Sequence, residues 1–233
     1  MLDQLKRLEA LRGAEARAID DADFRARVVA VKRWQQARLA RTYADLARDA
    51  RYVPAVDFFL DELYGTKDSS ERDRDLIRMV PTIKRLLPKF AFDVVKSALE
   101  LDVLSEEFDQ AIAKLIGSGK LDDATYIAAF RTAGRREDRL HQVALLREVG
   151  SGLDVVVKKP LIYSTLKMLR RPAQLAGMGE MQRFLEVGFT AFRHMNGATH
   201  FLETIAARET ILIERIMDNQ QQPLSIVDAW AMG

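Results

Sequence analysis

Seven residues between positions 24 and 46 set the strongest constraint on this fold. Phe24, Val28, Val31, Gln35, Leu39, Thr42 and Leu46 follow one another at steps of three or four. That rhythm lays them along one stripe of an α-helix of about six turns, because residues three and four apart share a helical face. A strand would need alternation at every second residue, and the stretch has none. Two of the seven, Gln35 and Thr42, are polar. They either hydrogen-bond inside a helical interface or mark where the stripe meets water.

The same period recurs along the chain. Leu2, Leu5, Leu8 and Leu11 predict an N-terminal helix, interrupted by Gly13 and the IDDAD stretch. Pro54 opens a short helix over PAVDFFLDELY, and Gly65 stops it. Asp68, Ser69 or Ser70 would cap the next, whose apolar Leu76, Met79, Val80, Ile83, Leu86 and Leu87 run through a kink at Pro81. Four shorter helices follow to about Gly150: FAFDVVKSALELDVL, SEEFDQAIAKLIG, DDATYIAAFRTAG and RREDRLHQVALLREVG. Gly117, Gly119, Gly134, Gly150 and Gly152 read as their stops. VVVKKPLIYSTLKML reads as a loop into a helix opened by Pro160. One helix is then predicted from Pro172 to Met195, a turn at Asn196-Gly197, a last helix from Thr199 to Met217, and an irregular tail in which Trp230 docks or is held by a partner. The expectation is an all-α, compact multi-helix bundle of about nine or ten helices forming one domain over residues 1–233, with residues 1–20 a looser helix.

Composition removes several function classes. No cysteine is present, which excludes disulfides, zinc thiolates, iron-sulfur clusters and cysteine nucleophiles, and suits a reducing cytoplasm. Lys and Arg total 36 against 34 Asp and Glu, so overall charge gives no argument for nucleic acid, which is not an expected partner, or for an anionic surface, and any basic patch must be local. The apolar runs FFL, VVV and ILI are far shorter than a membrane span, and Asp3 and Glu9 break any secretory h-region.

Glu209 is the sharpest chemical candidate. It lies amid Phe201, Leu202, Ile205, Leu212, Ile213 and Ile216 on the apolar face of the last helix. A carboxylate there is paired with a cation, neutralised by a raised pKa, or bound to a metal. Glu186 and Arg208 are the other candidates for buried charge. Di-iron sites in helical bundles use Glu-x-x-His pairs, and the chain has none. Asp138, His141 and Glu148 share one helical face and form a weak metal candidate. His194 and His200 fall away from the apolar faces of their helices, so neither suits a haem ligand. GSGK at 117–120 is too short for a phosphate loop and reads as a turn. Arg27, Arg38, Arg41 and Arg48 flank the first stripe beside Trp34 and read as surface arginines lying over a helix interface.

The segments YVPAVDFFLDELYGTKD, RRPAQLAGMGEMQRFLEVGFTAF and FLETIAARE resemble an uncharacterised bacterial all-helical family, a domain of unknown function carrying an FFLxxLYG segment. Pro54, Phe58, Phe59, Leu60, Leu63, Tyr64, Gly65, Arg72 and Asp73 carry the likeness in the first half. Pro172, Ala173, Gly177, Glu186, Phe189, Arg208 and Glu209 carry it in the second. The resemblance implies one helical fold across both halves and supplies no catalytic residue or cofactor.

Phe58, Phe59 and Tyr64 occupy more than one face of a short helix and must be covered by the core, by a partner or around an apolar small-molecule ligand. In the separate RRPAQLAGMG region and just beyond it, Gly177, Gly179 and Gly188 allow close backbone approach between helices. The expected function is a non-enzymatic cytoplasmic binding or interaction protein acting through amphipathic helical faces, by self-association or with a protein partner. The alternative is a helical cofactor-binding or metal-dependent enzyme using Glu209 and Glu186 with a histidine.

Overall fold

The computed structural model describes residues 2–17, 22–65, 75 and 89–232. These are helical and turn residues, with no strand among them. In chain order come α1 (Leu2–Arg17), α2 (Ala22–Thr42), a 3₁₀ turn (Leu46–Arg48), α3 (Val53–Phe58) and a π turn (Phe59–Leu63). Then follow α4 (Lys89–Ile116), α5 (Asp123–Ala133), α6 (Arg136–Val157), α7 (Pro160–Met168), α8 (Arg170–Leu175), α9 (Gly179–Met195), α10 (Thr199–Met217) and α11 (Ser225–Met232). The caps expected at Asp68 to Ser70, and the kinked helix over Leu76 to Leu87, lie outside the described residues.

Helix α4 is the spine. It runs for 28 residues without interruption where two helices were expected. Where the two were expected to meet, the Ser105 side chain turns back to the Leu101 carbonyl at 2.8 Å and bonds within the helix. Helices α1, α2, α5 and α6 all pack on α4. Leu5 and Leu8 of α1 are buried there, and α1 continues through Gly13 to Arg17.

Glycine misled the reading of α6. Gly150 and Gly152 do not stop this helix, which runs on through Val155 to Val157. A Cβ on Gly150 would stand 2.3 Å from Leu202 Cδ2 of α10, and one on Gly152 2.2 Å from Val94 Cγ2 of α4. Both glycines let neighbouring helices close in. Gly65 does follow the end of its element, and a Cβ there would strike the Asp61 carbonyl oxygen at 2.1 Å.

The helix expected from Pro172 to Met195 is two. Helix α8 ends at Leu175, Gly177 takes φ +71°, and α9 begins at Gly179. The tail is not irregular either: α11 packs on α2, and Trp230 lies under the Arg208 guanidinium at 5.3 Å. Asn196 adopts the left-handed conformation between α9 and α10, as the Asn-Gly pair predicts.

The apolar side chains gather into two main clusters. The first joins Leu39, Tyr43, Tyr52, Val56, Leu146, Phe189, Phe192, Phe201 and Ile205 with their neighbours. The second joins Phe24, Val28, Val31, Ile112, Phe130, Leu212, Ile213, Ile216 and Val227 with theirs. Helices α2 and α10 contribute to both. Arginines fasten the helix ends between them: Arg51 donates to the carbonyls of Met195 (2.6 Å) and Gly197 (3.0 Å), and Arg131 to those of Ile216 (2.8 Å) and Gln220 (3.1 Å). These bonds satisfy carbonyls that a helix C-terminus leaves without partners.

Candidate functional site

Where α2 and α10 pass from one apolar cluster to the other, both helices turn polar. On α10 the break is Glu209, between Ile205 and Leu212. On α2 it is Gln35, Arg38 and Thr42, which continue the apolar stripe in sequence spacing but not in chemistry. The Arg38 guanidinium donates to Glu209 Oε1, and the Tyr43 hydroxyl donates to the same oxygen at 2.7 Å. Thr42 is wholly buried and returns its hydroxyl to the Arg38 carbonyl at 2.8 Å.

The contacts among Arg38, Tyr43 and Glu209 form a triad in which the pKa of both donors is raised. Burial works against the charge of Arg38, but the Glu209 carboxylate outweighs it and holds the guanidinium pKa above its ordinary value. Burial, reinforced by Glu209, pushes the Tyr43 phenol well upward, so it remains a donor.

Next to the triad is a cavity of about 30 Å³ lined by Leu39, Val56, Phe59, Tyr64, Phe201 and Ile205, with Tyr43 and Glu209 supplying the polar wall. Pockets that hold small molecules measure several hundred Å³ (roughly 300 or more), so this one has room for water and not for a substrate.

The polar seam continues along the α2–α4 contact. Gln35 Nε2 donates to Asp109 Oδ1, and Lys32 Nζ meets Glu106 Oε2 at 2.9 Å. Burial raises the Asp109 pKa from 3.8 to about 7, against the pull of Lys32. Beyond it Arg139, 5% exposed, lies over the Phe130 ring at 3.6 Å and the Phe108 ring at 4.2 Å. Its Nε reaches the Gly134 carbonyl at 3.2 Å, and burial lowers its pKa to about 10.

The family model described as a domain of unknown function, DUF8198, matches residues 14–223. The chain belongs to that family. No curated protein and no solved structure matches it. The matched span of this DUF8198 chain includes the whole polar seam, from Lys32 to Glu209, and stops short of Leu224, Val227 and Trp230.

The other sequence candidates in the DUF8198 chain are scattered. Arg208, adjacent to Glu209, points the other way and grips Asp45 with both arms at 2.7 Å while also reaching the Thr42 carbonyl. Glu186 is not a buried lone charge: it is part-exposed, takes a bidentate grip from Arg170 and accepts from Gln182 at 2.9 Å.

The metal candidates part company. Asp138 pairs with Arg135 at 2.7 Å, His141 meets Glu100 at 2.7 Å, and Glu148 accepts from Ser97 at 2.7 Å. Among the described residues no group of three such side chains is placed to hold an ion.

Phe58, Phe59 and Tyr64 are covered from within. Phe58 abuts Gly188, where a Cβ would come 2.7 Å from its ring, and Phe59 packs against Phe192 and Phe201. The π turn, closed by Tyr64 N–H on the Phe59 carbonyl at 3.0 Å, lets both Phe59 and Tyr64 reach the cavity.

Of the basic flank, Arg38 is not a surface arginine. Arg41 and Arg48 stay exposed, Arg48 reaching the Ala231 carbonyl at 3.0 Å, and Trp34 stacks on Tyr126 at 3.7 Å. Sequence spacing singles out none of Tyr43, Asp109 and Arg139, and it sets Arg38 among surface arginines although the side chain is buried. The signal for Arg38 was present: with Gln35 and Thr42 it completes a polar patch on a helical face that is otherwise apolar.

Proposed function

We propose that this protein is a binding or interaction protein that works through an exposed helical face, and that the polar seam is its structural keystone. One observation carries the reading: Leu161, Met168 and Leu175, on α7 and α8, are 81, 78 and 90% exposed. Ile162, Tyr163 and Leu166 of the same helix pack on the first apolar cluster, with Tyr163 stacked on Phe189 at 5.2 Å. The outer side chains are therefore held outward. Large apolar groups fixed together in water are the usual mark of a contact surface. Glu209, on which a catalytic reading would rest, is engaged by Arg38 and Tyr43 beside a cavity too small for a substrate.

The test compares the wild type with a Leu161→Ser/Met168→Ser/Leu175→Ser variant, using an apolar fluorescent dye and sedimentation velocity over a range of protein concentrations. Dye binding or concentration-dependent association that the variant loses supports the reading. Wild type and variant behaving alike in both measurements would overturn it.

A further inference from the structure

We infer that the α7–α8 face docks on an anionic lipid surface; this rests on the interaction reading above and names what the face meets. The first ground is charge. Between Asp154 and Glu180 the chain has no acidic residue, while Lys158, Lys159, Lys167, Arg170 and Arg171 all fall there, in a protein whose cations and anions nearly balance.

Part of that charge is engaged. Lys158 pairs with Asp154 at 2.6 Å and Arg170 with Glu186. Lys167 lies over the Tyr163 ring at 4.4 Å, within the field of Glu186, and Arg193 of α9 lies over the same ring at 4.7 Å. Arg171 is exposed.

The second ground is shape. Leu161, Thr165, Met168, Pro172 and Leu175 follow steps of four and three along two helices separated by Leu169 alone, so they form one outward stripe. Side chains this exposed line no groove. A bilayer interface yields around projecting Leu and Met while its headgroups meet the flanking Lys and Arg. Anionic lipid adds attraction for every basic residue near the surface.

Co-sedimentation with vesicles of phosphatidylcholine, with and without phosphatidylserine, tests this on the full chain. The wild type should pellet with the anionic vesicles at low salt, be released at high salt, and ignore the zwitterionic ones. Leu161→Ser/Met168→Ser/Leu175→Ser and Lys167→Glu/Arg171→Glu should each weaken partitioning about tenfold or more. All five positions are solvent-facing, so the fold should survive, which circular dichroism checks. Leu115→Ser, an exposed apolar residue at the end of α4, should bind like the wild type.

No binding to anionic vesicles at low salt would overturn the lipid assignment. So would undiminished binding by the triple serine variant, which would reduce the contact to charge alone. If vesicle binding fails while the serine variant still loses dye binding or association, the interaction reading stands and a protein surface takes the place of lipid. If both fail, both readings fall.

Discussion

Arg38 and Glu209 meet at the level where the chain passes between its two apolar clusters, one on the second helix and the other on the tenth. The pair is little exposed, at 10% and 17% of side-chain surface. Breaking it from one side leaves the other charge without its partner in a poorly solvated place. Arg38→Met should cost about 3 kcal/mol of unfolding free energy, and Arg38→Met/Glu209→Leu should recover most of that. Urea unfolding of the two single variants and the double variant closes the cycle. A double variant as unstable as the sum of the singles would show that the two side chains are not coupled.

Asp109 gives the protein a pH dependence of unusual sign for a carboxylate. Burial raises its pKa from 3.8 to about 7 in the folded state. Below about pH 4 folded and unfolded chains both hold this proton, and between about pH 4 and 7 only the folded chain does. The Asp109 contribution to stability is thus present at the acid side and is lost as pH rises through about 7, by a few kcal/mol in order of magnitude. In Asp109→Asn the urea midpoint should lose this decline across the window. An unchanged profile would remove Asp109 as its source.

Gly188 is tight against Phe58, whose ring is hemmed in by Phe59 and Phe184. Gly188→Ala should therefore destabilise by about 2 kcal/mol despite alanine's better helix propensity. Gly179→Ala, at the open start of α9, meets nothing nearer than 4.0 Å and should be neutral or stabilising. Thermal melts of the two variants are enough to separate these outcomes.

Arg208 holds Asp45 and the Thr42 carbonyl while covering Trp230. Lysine keeps the charge and loses the fork, so Arg208→Lys should cost about 1 to 2 kcal/mol and shift tryptophan emission to the red as Trp230 loosens. A Trp34→Phe background isolates that signal, since these are the chain's two tryptophans.

The clearest parts of the fold in the sequence were those written by local rules. The stripe of α2, Pro160 at the start of α7, and the Asn196-Gly197 turn before Thr199 were all legible because spacing and turn chemistry act within a few residues. Gly150 was misread for the opposite reason. A glycine that ends a helix and one that admits a neighbour look alike until Leu202, on another helix, is known to press against it. The break expected before Ser105 is absent for a related reason: a serine that could start a helix instead bonds, within α4, to the carbonyl one turn back. At the polar seam, Glu209 stood out because its neighbours are apolar, whereas Arg38 was lost among arginines and Asp109 among the acids of a long helix. Only packing shows which members of a charged run are the buried ones.

The second apolar cluster joins Phe24 near one end of the described chain to Leu224 and Val227 near the other. During synthesis α2 can lay its stripe on α4 once that helix is made, yet the cluster stays open until α10, α11 and the turn between them bring Leu212, Ile216, Leu224 and Val227. Neither α4 nor α6 can complete that cluster alone. That core is therefore closed by segments far apart along the chain, a non-local contact of the kind that slows folding.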